Sequence, residues 1–107
     1  MRPKYLTQTG TGASKVLPLD YNLDGFHVSV ALVETGSPTW VLEHTYDKIY
    51  EPGWTASSAN WFTKITSTGT SNEVFYDGTP IVALRVRNTA TSASAVTAIV
   101  LQSGVGN

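Results

Sequence analysis

Residues 20–25 contain the oxygen donors of a calcium loop, in the pattern Asp-x-Asn-x-Asp-Gly. Alternate carboxylate and amide oxygens can surround a hard cation, and the glycine permits the bend that such a loop requires. The second half of the motif is missing, because Ala31 stands at the twelfth position, where a bidentate carboxylate is needed. Asp and Asn also fill ordinary turns by hydrogen-bonding to their own backbone. We therefore interpret the segment as a turn and expect no bound metal.

His27 and His44 are the only imidazoles, and they do not form a recognisable catalytic or metal-binding pair. They lie in different predicted strands, without the close spacing that brings two metal ligands together. The sequence has no Gly-x-Ser-x-Gly elbow for a nucleophile and no complete glycine-rich phosphate loop. Asp47 and Glu51 are the closest acidic pair in a loop, and such pairs are usually solvated. We therefore expect a protein that is not an enzyme and needs no cofactor.

Aromatic residues are more informative, because seven of the eleven lie between positions 46 and 76. Tyr50 and Trp54 fall within residues 47–60, a long segment without clean periodicity that we interpret as a loop. Exposed rings of this kind anchor protein partners or stack on sugar rings. Tyr50 and Trp54 are therefore the first candidates for partner binding. Three other large rings are expected in the core: Trp40, Trp61 and Phe75.

The elements that must position these residues are strands, because apolar residues recur at every second position. Four long runs alternate in this way, in two consecutive pairs that we expect to form antiparallel hairpins: residues 26–34 with 39–46, and 81–88 with 95–102. In the third run, Arg85 and Arg87 share the face opposite to the apolar residues. These two cations are the second candidates for partner binding.

The spacing of roughly seven alternating runs, with turn residues between them, predicts an all-β fold of the antiparallel β-sandwich type, jelly-roll-like. A chain of 107 residues suits a single domain. Residues 1–14 are mostly small and polar, so we assign them to a flexible N-terminal arm and residues 15–107 to the β-sandwich domain. The expected core consists of apolar residues from the alternating runs: Phe26, Val28, Val30, Leu32, Trp40, Leu42, Val82, Leu84, Val86, Ile99 and Leu101.

The composition argues against several classes of partner. Seven Lys and Arg against eight Asp and Glu give a net charge of -1, without the basic excess that nucleic-acid-binding proteins use to neutralise phosphates. No apolar stretch is long enough for a signal peptide or a membrane span. Without cysteine there is no disulfide and no thiolate. We therefore expect a chain that folds inside the cell and binds neither nucleic acid nor membrane.

Several phrases of the sequence resemble small structural proteins of tailed bacteriophages. The resemblance covers most of residues 15–102 and rests on five segments: Lys-Val-Leu-Pro-Leu-Asp-Tyr-Asn at 15–22, Thr-Gly-Ser-Pro-Thr at 35–39, Val-Leu-Glu-His-Thr-Tyr-Asp at 41–47, and the closing runs at 85–88 and 95–102. Within this group the chain is similar to jelly-roll head decoration, or cement, proteins. The resemblance implies a non-enzymatic virion protein, made in the host cytoplasm, that binds the major capsid protein on the capsid surface as a small homo-oligomer.

The alternative function is a carbohydrate- or receptor-binding module of a phage tail or appendage, with Tyr50 and Trp54 stacking on sugar rings. For capsid binding, we expect the contacts to come from the arm at 1–14 and the loop at 47–60, because neither segment has the alternation of a strand that packs in the core. Arg85 and Arg87 would form ion pairs with an acidic shell. The alternative for these two arginines is a solvated sheet face.

Overall fold

The alternating runs form strands in the structure, a computed structural model that describes residues 2–21, 24–67, 72–78, 80–90 and 94–105. Its strands are β1 (Lys4–Thr9), β2 (Gly12–Ala13), β3 (Leu17–Pro18), β4 (Asp24–Thr35), β5 (Trp40–Thr45), β6 (Phe62–Thr66), β7 (Asn72–Asp77), β8 (Ala83–Asn88) and β9 (Ala95–Val105). The loop between β5 and β6 contains one turn of 3-10 helix, Ala56–Ser58. The all-β prediction is therefore confirmed.

The strands form two antiparallel sheets that pack face to face. Sheet A has the order β1-β9-β4-β7; in sheet B, β8 pairs on one side with β2 and β3, and on the other with β5, which pairs with β6. Because β2 and β3 meet opposite ends of β8, they act as one interrupted edge strand. At the interruption, the N–H of Ser14 donates to Val86 O, and Ser14 Oγ accepts from Val86 N. If β2 and β3 are counted as one strand, the chain crosses between the sheets at every connection except β5–β6, which is the predicted jelly-roll arrangement.

The two expected hairpins are wrong, because β4 and β5 lie in different sheets, as do β8 and β9. β4 pairs instead with β7 and β9, and β5 pairs with β6 and β8. Each run has an apolar face, and a connection that crosses to the other sheet lets two such faces pack against each other. The connection from β4 to β5 begins at Gly36, whose φ is +77°. A larger residue would be unfavourable there, because its Cβ would lie 3.3 Å from Ser94 Cβ and this backbone conformation favours glycine.

The core lies between the sheets, and eight of the expected core residues are buried there: Phe26, Val28, Val30, Leu32, Trp40, Leu42, Leu84 and Val86. The expectation for β9 is wrong, because Ile99 is only half-buried and Leu101 is 45% exposed. The apolar residues that β9 buries are Val96, Ala98 and Val100. β9 is apolar on both faces, so its sequence alone does not select one. Pairing selects it, since Val100 lies opposite Val30 and opposed residues share a face.

Three further residues expected in the core lie elsewhere. Phe75 points outward and is 55% exposed, because its neighbours Val74 and Tyr76 occupy the inward positions of β7. Val82 and Trp61 are only half-buried. Each of these two residues precedes its strand, β8 or β6, and therefore lies outside the regular contact between the sheets.

The expectation of a flexible arm at residues 1–14 is wrong for most of that segment. β1 pairs antiparallel with β9 over six residue pairs, and β2 continues into sheet B. Leu6 is buried, and the hydroxyl oxygens of Thr7 and Thr97 lie 2.9 Å apart. The alternation in β1 is short and has only one strongly apolar inward residue. The main role of β1 is therefore to hydrogen-bond to the N–H and C=O groups along the edge of β9.

The calcium-like pattern at residues 20–25 lies partly outside the described residues. In the described part, the backbone N–H and C=O of Asp20 both form hydrogen bonds with the buried side chain of Gln102. The N–H of Asp20 donates to Gln102 Oε1 at 3.0 Å, and Gln102 Nε2 donates to Asp20 O at 2.8 Å. A buried amide thereby obtains its hydrogen bonds and fixes the chain shortly before β4.

Candidate docking surfaces

The outer side of sheet A carries an apolar surface that the pleat of its four strands builds. Strand pairing places Tyr5, Ile99 and Ala31 in one row across β1, β9 and β4. In the neighbouring row, Leu101 and Phe75 flank a serine of β4. Opposed side chains in such rows lie close enough to form a continuous surface. We call this surface the sheet A face and define it by its apolar members: Tyr5, Ala31, Val33, Phe75, Ile99 and Leu101.

The sheet A face leaves much of its apolar area uncovered. Tyr5 is 66% exposed and Phe75 is 55% exposed. Because an aromatic side chain presents about 150–250 Å², these two rings alone leave roughly 180–300 Å² open to solvent. Leu101 and Val33, which are 45% and 43% exposed, extend the surface. Contiguous apolar patches of several hundred Å² on a monomer often mark sites of protein interaction.

Polar groups surround the sheet A face more than they interrupt it. On the edge strand β7, Glu73 borders the face, and Asp77 Oδ1 lies 2.9 Å from His27 Nδ1. The bonded hydroxyls of Thr7 and Thr97 border another side. In the described part of these rows there is no Lys or Arg. An apolar centre with a polar rim is the usual composition of a protein interface.

The outer side of sheet B is organised around the buried carboxylate of Glu43. Arg85 Nε and Arg87 Nε both donate to Glu43 Oε1, at 2.9 Å and 3.4 Å. The guanidinium carbon of Arg85 also lies 4.2 Å from the ring centroid of Trp61. Trp61 Nε1 donates in turn to Ala56 O, in the loop before β6. This arrangement, which we call the Glu43 network, pairs the buried carboxylate of Glu43 with two arginines of its own chain.

The structure brings Arg85 and Arg87 together on one face, as predicted, but pairs them with Glu43 of their own chain. The Arg85 side chain is 14% exposed, so it has little surface to offer a partner. Arg87 is 41% exposed and remains accessible. Glu43 was not among the predicted site residues. Its position between Leu42 and His44 indicates the outer face, but only the pairing of β5 with β8 places it opposite Arg85.

One carboxylate organises the loop between β5 and β6. Asp47 Oδ2 accepts from Asn60 N at 3.1 Å and from Trp54 Nε1 at 3.2 Å. The backbone bond from Asn60, followed by the indole bond from Trp54, holds the pKa of Asp47 below its usual value. Trp54 is therefore half-buried and engaged within the loop, although the sequence predicts it as an anchor for a partner. The sequence analysis expects Asp47 to be solvated, but its hydrogen bonds to Trp54 and Asn60 fix the conformation of this loop.

Tyr50 is the predicted anchor that the structure leaves well exposed. Its side chain is 68% exposed and lines a cleft of about 240 Å³ at one end of the sandwich. The cleft is mostly apolar in character, with one cation and two carboxylates around it. Its other lining residues are Tyr21, Tyr46, Asp47, Lys48, Ile49, Glu51 and Val82.

His44 lies in an aromatic cluster next to this cleft. Its Nδ1 is 3.0 Å from the Tyr76 hydroxyl oxygen, which links sheet B to sheet A. The His44 ring meets Tyr46 edge-on, with centroids 5.5 Å apart, and stacks on Phe62 at 6.1 Å. Burial, and after it the charge of Lys64, lowers the pKa of His44, and burial raises the pKa of Tyr76. Both groups are therefore neutral at pH 7, and the pair joins the two sheets.

The two histidines do not meet, because His27 lies on the outer side of sheet A and His44 is buried. Across the described ranges, no group of three or more His, Asp or Glu side chains is placed to hold a metal ion. The same part of the chain contains no helix that is long and apolar enough to cross a membrane. Comparisons of the protein with family models, with curated proteins and with solved structures found no match.

Proposed function

We propose that the chain is a non-enzymatic structural protein of a tailed-phage virion, a head decoration protein that binds the major capsid protein outside the shell and stabilises contacts between capsid subunits. In this proposal the chain is made in the host cytoplasm and joins the capsid surface as a small homo-oligomer. The observation that carries the proposal is the sheet A face, an exposed apolar surface on a jelly-roll sandwich. The resemblance of residues 15–102 to cement proteins supports the choice of partner.

The sheet A face has the properties that docking to a preformed shell requires. Its side chains stand on four hydrogen-bonded strands, so little conformational entropy is lost when a partner covers them. Tyr5 and Phe75 supply large rings from its two edge strands, β1 and β7, and buried rings often contribute most of the binding energy of an interface. Thr7 and Thr97 on the rim can exchange hydrogen bonds with polar groups of a shell.

The size of the sheet A face indicates how tightly one copy would bind. Its apolar centre covers several hundred Å², whereas each partner in a standard interface buries about 800 Å². One copy would therefore bind modestly through this centre alone. A homo-oligomer that engages several capsid subunits at once would gain affinity through its high effective concentration. This is the reason that the proposal includes a homo-oligomer.

The proposed surface replaces the one expected from the sequence. β1 and β2 together occupy eight of the fourteen residues assigned to the arm. Trp54 and Arg85 are engaged with residues of their own chain. Tyr50 and Arg87 remain exposed, but they lie at one end of the sandwich and on the outer side of sheet B. Neither belongs to the sheet A face, so both provide control positions for a docking experiment.

Co-sedimentation with undecorated capsids of the phage that encodes the chain tests the proposal. The double variant Phe75→Asp/Leu101→Asp should lower occupancy by at least about tenfold, because it would bury two carboxylates without partners. Both positions are exposed, so the variant should melt like the parent protein. Tyr50→Ala, which removes an equally exposed ring elsewhere, should bind as the parent does.

Two results would overturn different parts of the proposal. If the parent protein does not bind these capsids at any concentration, the decoration function is wrong. If the parent binds and the double variant reaches the same occupancy at the same concentration, the function stands and the assignment to the sheet A face is wrong.

A further inference from the structure

The cleft at the end of the sandwich has a wall that is fixed before any ligand arrives. Backbone hydrogen bonds follow one another along it: Ile49 N to Asp47 O at 2.9 Å, Glu51 N to Lys48 O at 3.1 Å, and Trp54 N to Glu51 O at 3.2 Å. Within the last turn Gly53 has a φ of +85°, as the third residue of a type II turn requires. The side chains of this wall are thus held by a closely bonded backbone.

Three tyrosines line the cleft, two from the loop after β5 and one from the segment before β4. Tyr21, Tyr46 and Tyr50 are 40%, 51% and 68% exposed, so each has ring surface that a ligand can cover. The ring of Tyr46 is also fixed from behind, with its centroid 5.7 Å from that of Phe62. Tyrosine combines an apolar ring with a polar hydroxyl, which suits a ligand with both CH groups and hydroxyls.

The size and the charge of the cleft restrict the ligand further. A volume of about 240 Å³ is below the roughly 300–1,000 Å³ of sites for drug-sized molecules, so the cleft fits a single ring. Lys48 Nζ lies 3.7 Å from Glu51 Oε1, and these two charges offset each other. The carboxylate of Asp47 is already engaged with Trp54 and Asn60. Because Asp47 is ionised, the charges of Asp47, Lys48 and Glu51 sum to -1, which disfavours an anionic ligand. Lys48 and Glu51 still present one donor and one acceptor to a ligand.

We infer that this cleft binds one pyranose ring of a neutral saccharide. The exposed ring of Tyr50 stacks on the CH face of the sugar, while Lys48 donates to and Glu51 accepts from its hydroxyls. This binding site lies away from the sheet A face and does not depend on capsid docking. On a decorated capsid it would give the particle a low-affinity contact with glycans, and many copies would strengthen that contact.

Titration of ¹⁵N-labelled protein with maltohexaose, cellohexaose, mannohexaose and lactose, monitored by amide chemical shifts, tests this inference. At least one of these sugars should cause saturable shifts at residues 46–51 at a concentration of about 1 mM. Tyr50→Ala should raise the Kd by at least about tenfold. Tyr5→Ala is the matched control, because Tyr5 is 66% exposed but lies on the sheet A face, and it should leave the Kd unchanged.

Three outcomes would overturn the inference. The first is that none of the four sugars shifts the amides of residues 46–51. The second is that Tyr5→Ala weakens binding as much as Tyr50→Ala does. The third is that 3′-sialyllactose binds at least about tenfold more tightly than lactose, because the cleft would then select an anion. Capsid occupancy of the Tyr50→Ala variant, measured separately, distinguishes failure of this site from failure of the docking function.

Discussion

The two outer sides of the sandwich differ in how their side chains are satisfied. On sheet B, Glu43 binds two arginines, and Trp61 covers one of them. On sheet A, Tyr5 and Phe75 remain more than half exposed. The charged side is thus closed by its own contacts, whereas the apolar side is open. The two outer sides of the sandwich therefore differ in uncovered apolar surface, which is the basis of the proposed docking side.

Removing the carboxylate at the centre of the Glu43 network should have the largest effect on stability. Glu43→Ala leaves the enclosed Arg85 without its counter-charge, and breaking a buried pair in this way costs about 3–5 kcal/mol. We expect the free energy of unfolding, measured with urea, to fall by about 3 kcal/mol, because Arg87 is more exposed and can be hydrated. Glu43→Gln keeps an acceptor oxygen and should lose less. A loss of under about 1 kcal/mol for Glu43→Ala would show that sheet B is not closed as described.

A pH-dependent effect of intermediate size should come from His44, between the sheets. Burial lowers its pKa in the folded state, so below the unfolded value of 6.5 the unfolded chain takes up the proton more readily. This contribution to stability is complete above pH 6.5 and is lost as the pH falls toward the folded pKa. Thermal melts should therefore show a lower Tm in mild acid than at neutral pH. His44→Gln should reduce this drop, whereas His27→Gln should retain it. An unchanged drop in His44→Gln would contradict the assignment.

The smallest effect on stability should come from the sheet A face itself. Leu101→Ala should change the free energy of unfolding by no more than about 0.5 kcal/mol, because the side chain is already 45% exposed. Leu84→Ala is the matched comparison, since Leu84 is fully buried, and it should cost about 2–4 kcal/mol. Equal losses in the two variants would mean that Leu101 is covered and that the contrast between the two outer sides is mistaken.

The strands could be predicted from the sequence because alternation is a local property. Residues 26–34 lie within β4, and residues 39–46 contain β5. The partner of each strand could not be predicted in the same way, because pairing depends on residues far apart in the chain. Short connections suggest hairpins, yet here most of them cross between sheets so that apolar faces can meet. The jelly-roll class was therefore predictable from the number and spacing of strands, whereas the pairs were not.

For the two outer surfaces as well, the sequence predicts which residues share a face of one strand but not which residues of other strands lie beside them. Alternation was sufficient to place Arg85 and Arg87 on one face, but Glu43 reaches them only through the pairing of β5 with β8. Residue type assigned Phe75 and Leu101 to the core, because large apolar side chains are usually buried. β9 is apolar on both sides, so the two faces of sheet A could be distinguished only after its register with β4 was known.

Cryo-electron microscopy of a decorated capsid would show which side of the sandwich faces the shell. With the parent protein bound at high occupancy, we expect Tyr5, Phe75 and Leu101 to lie within about 4.5 Å of capsid residues. The outer side of sheet B and the cleft lined by Tyr21, Tyr46 and Tyr50 should face away from the shell. A map in which Arg87 or Tyr50 contacts the shell while the sheet A face is exposed would contradict the claim that this molecule docks through its open apolar side.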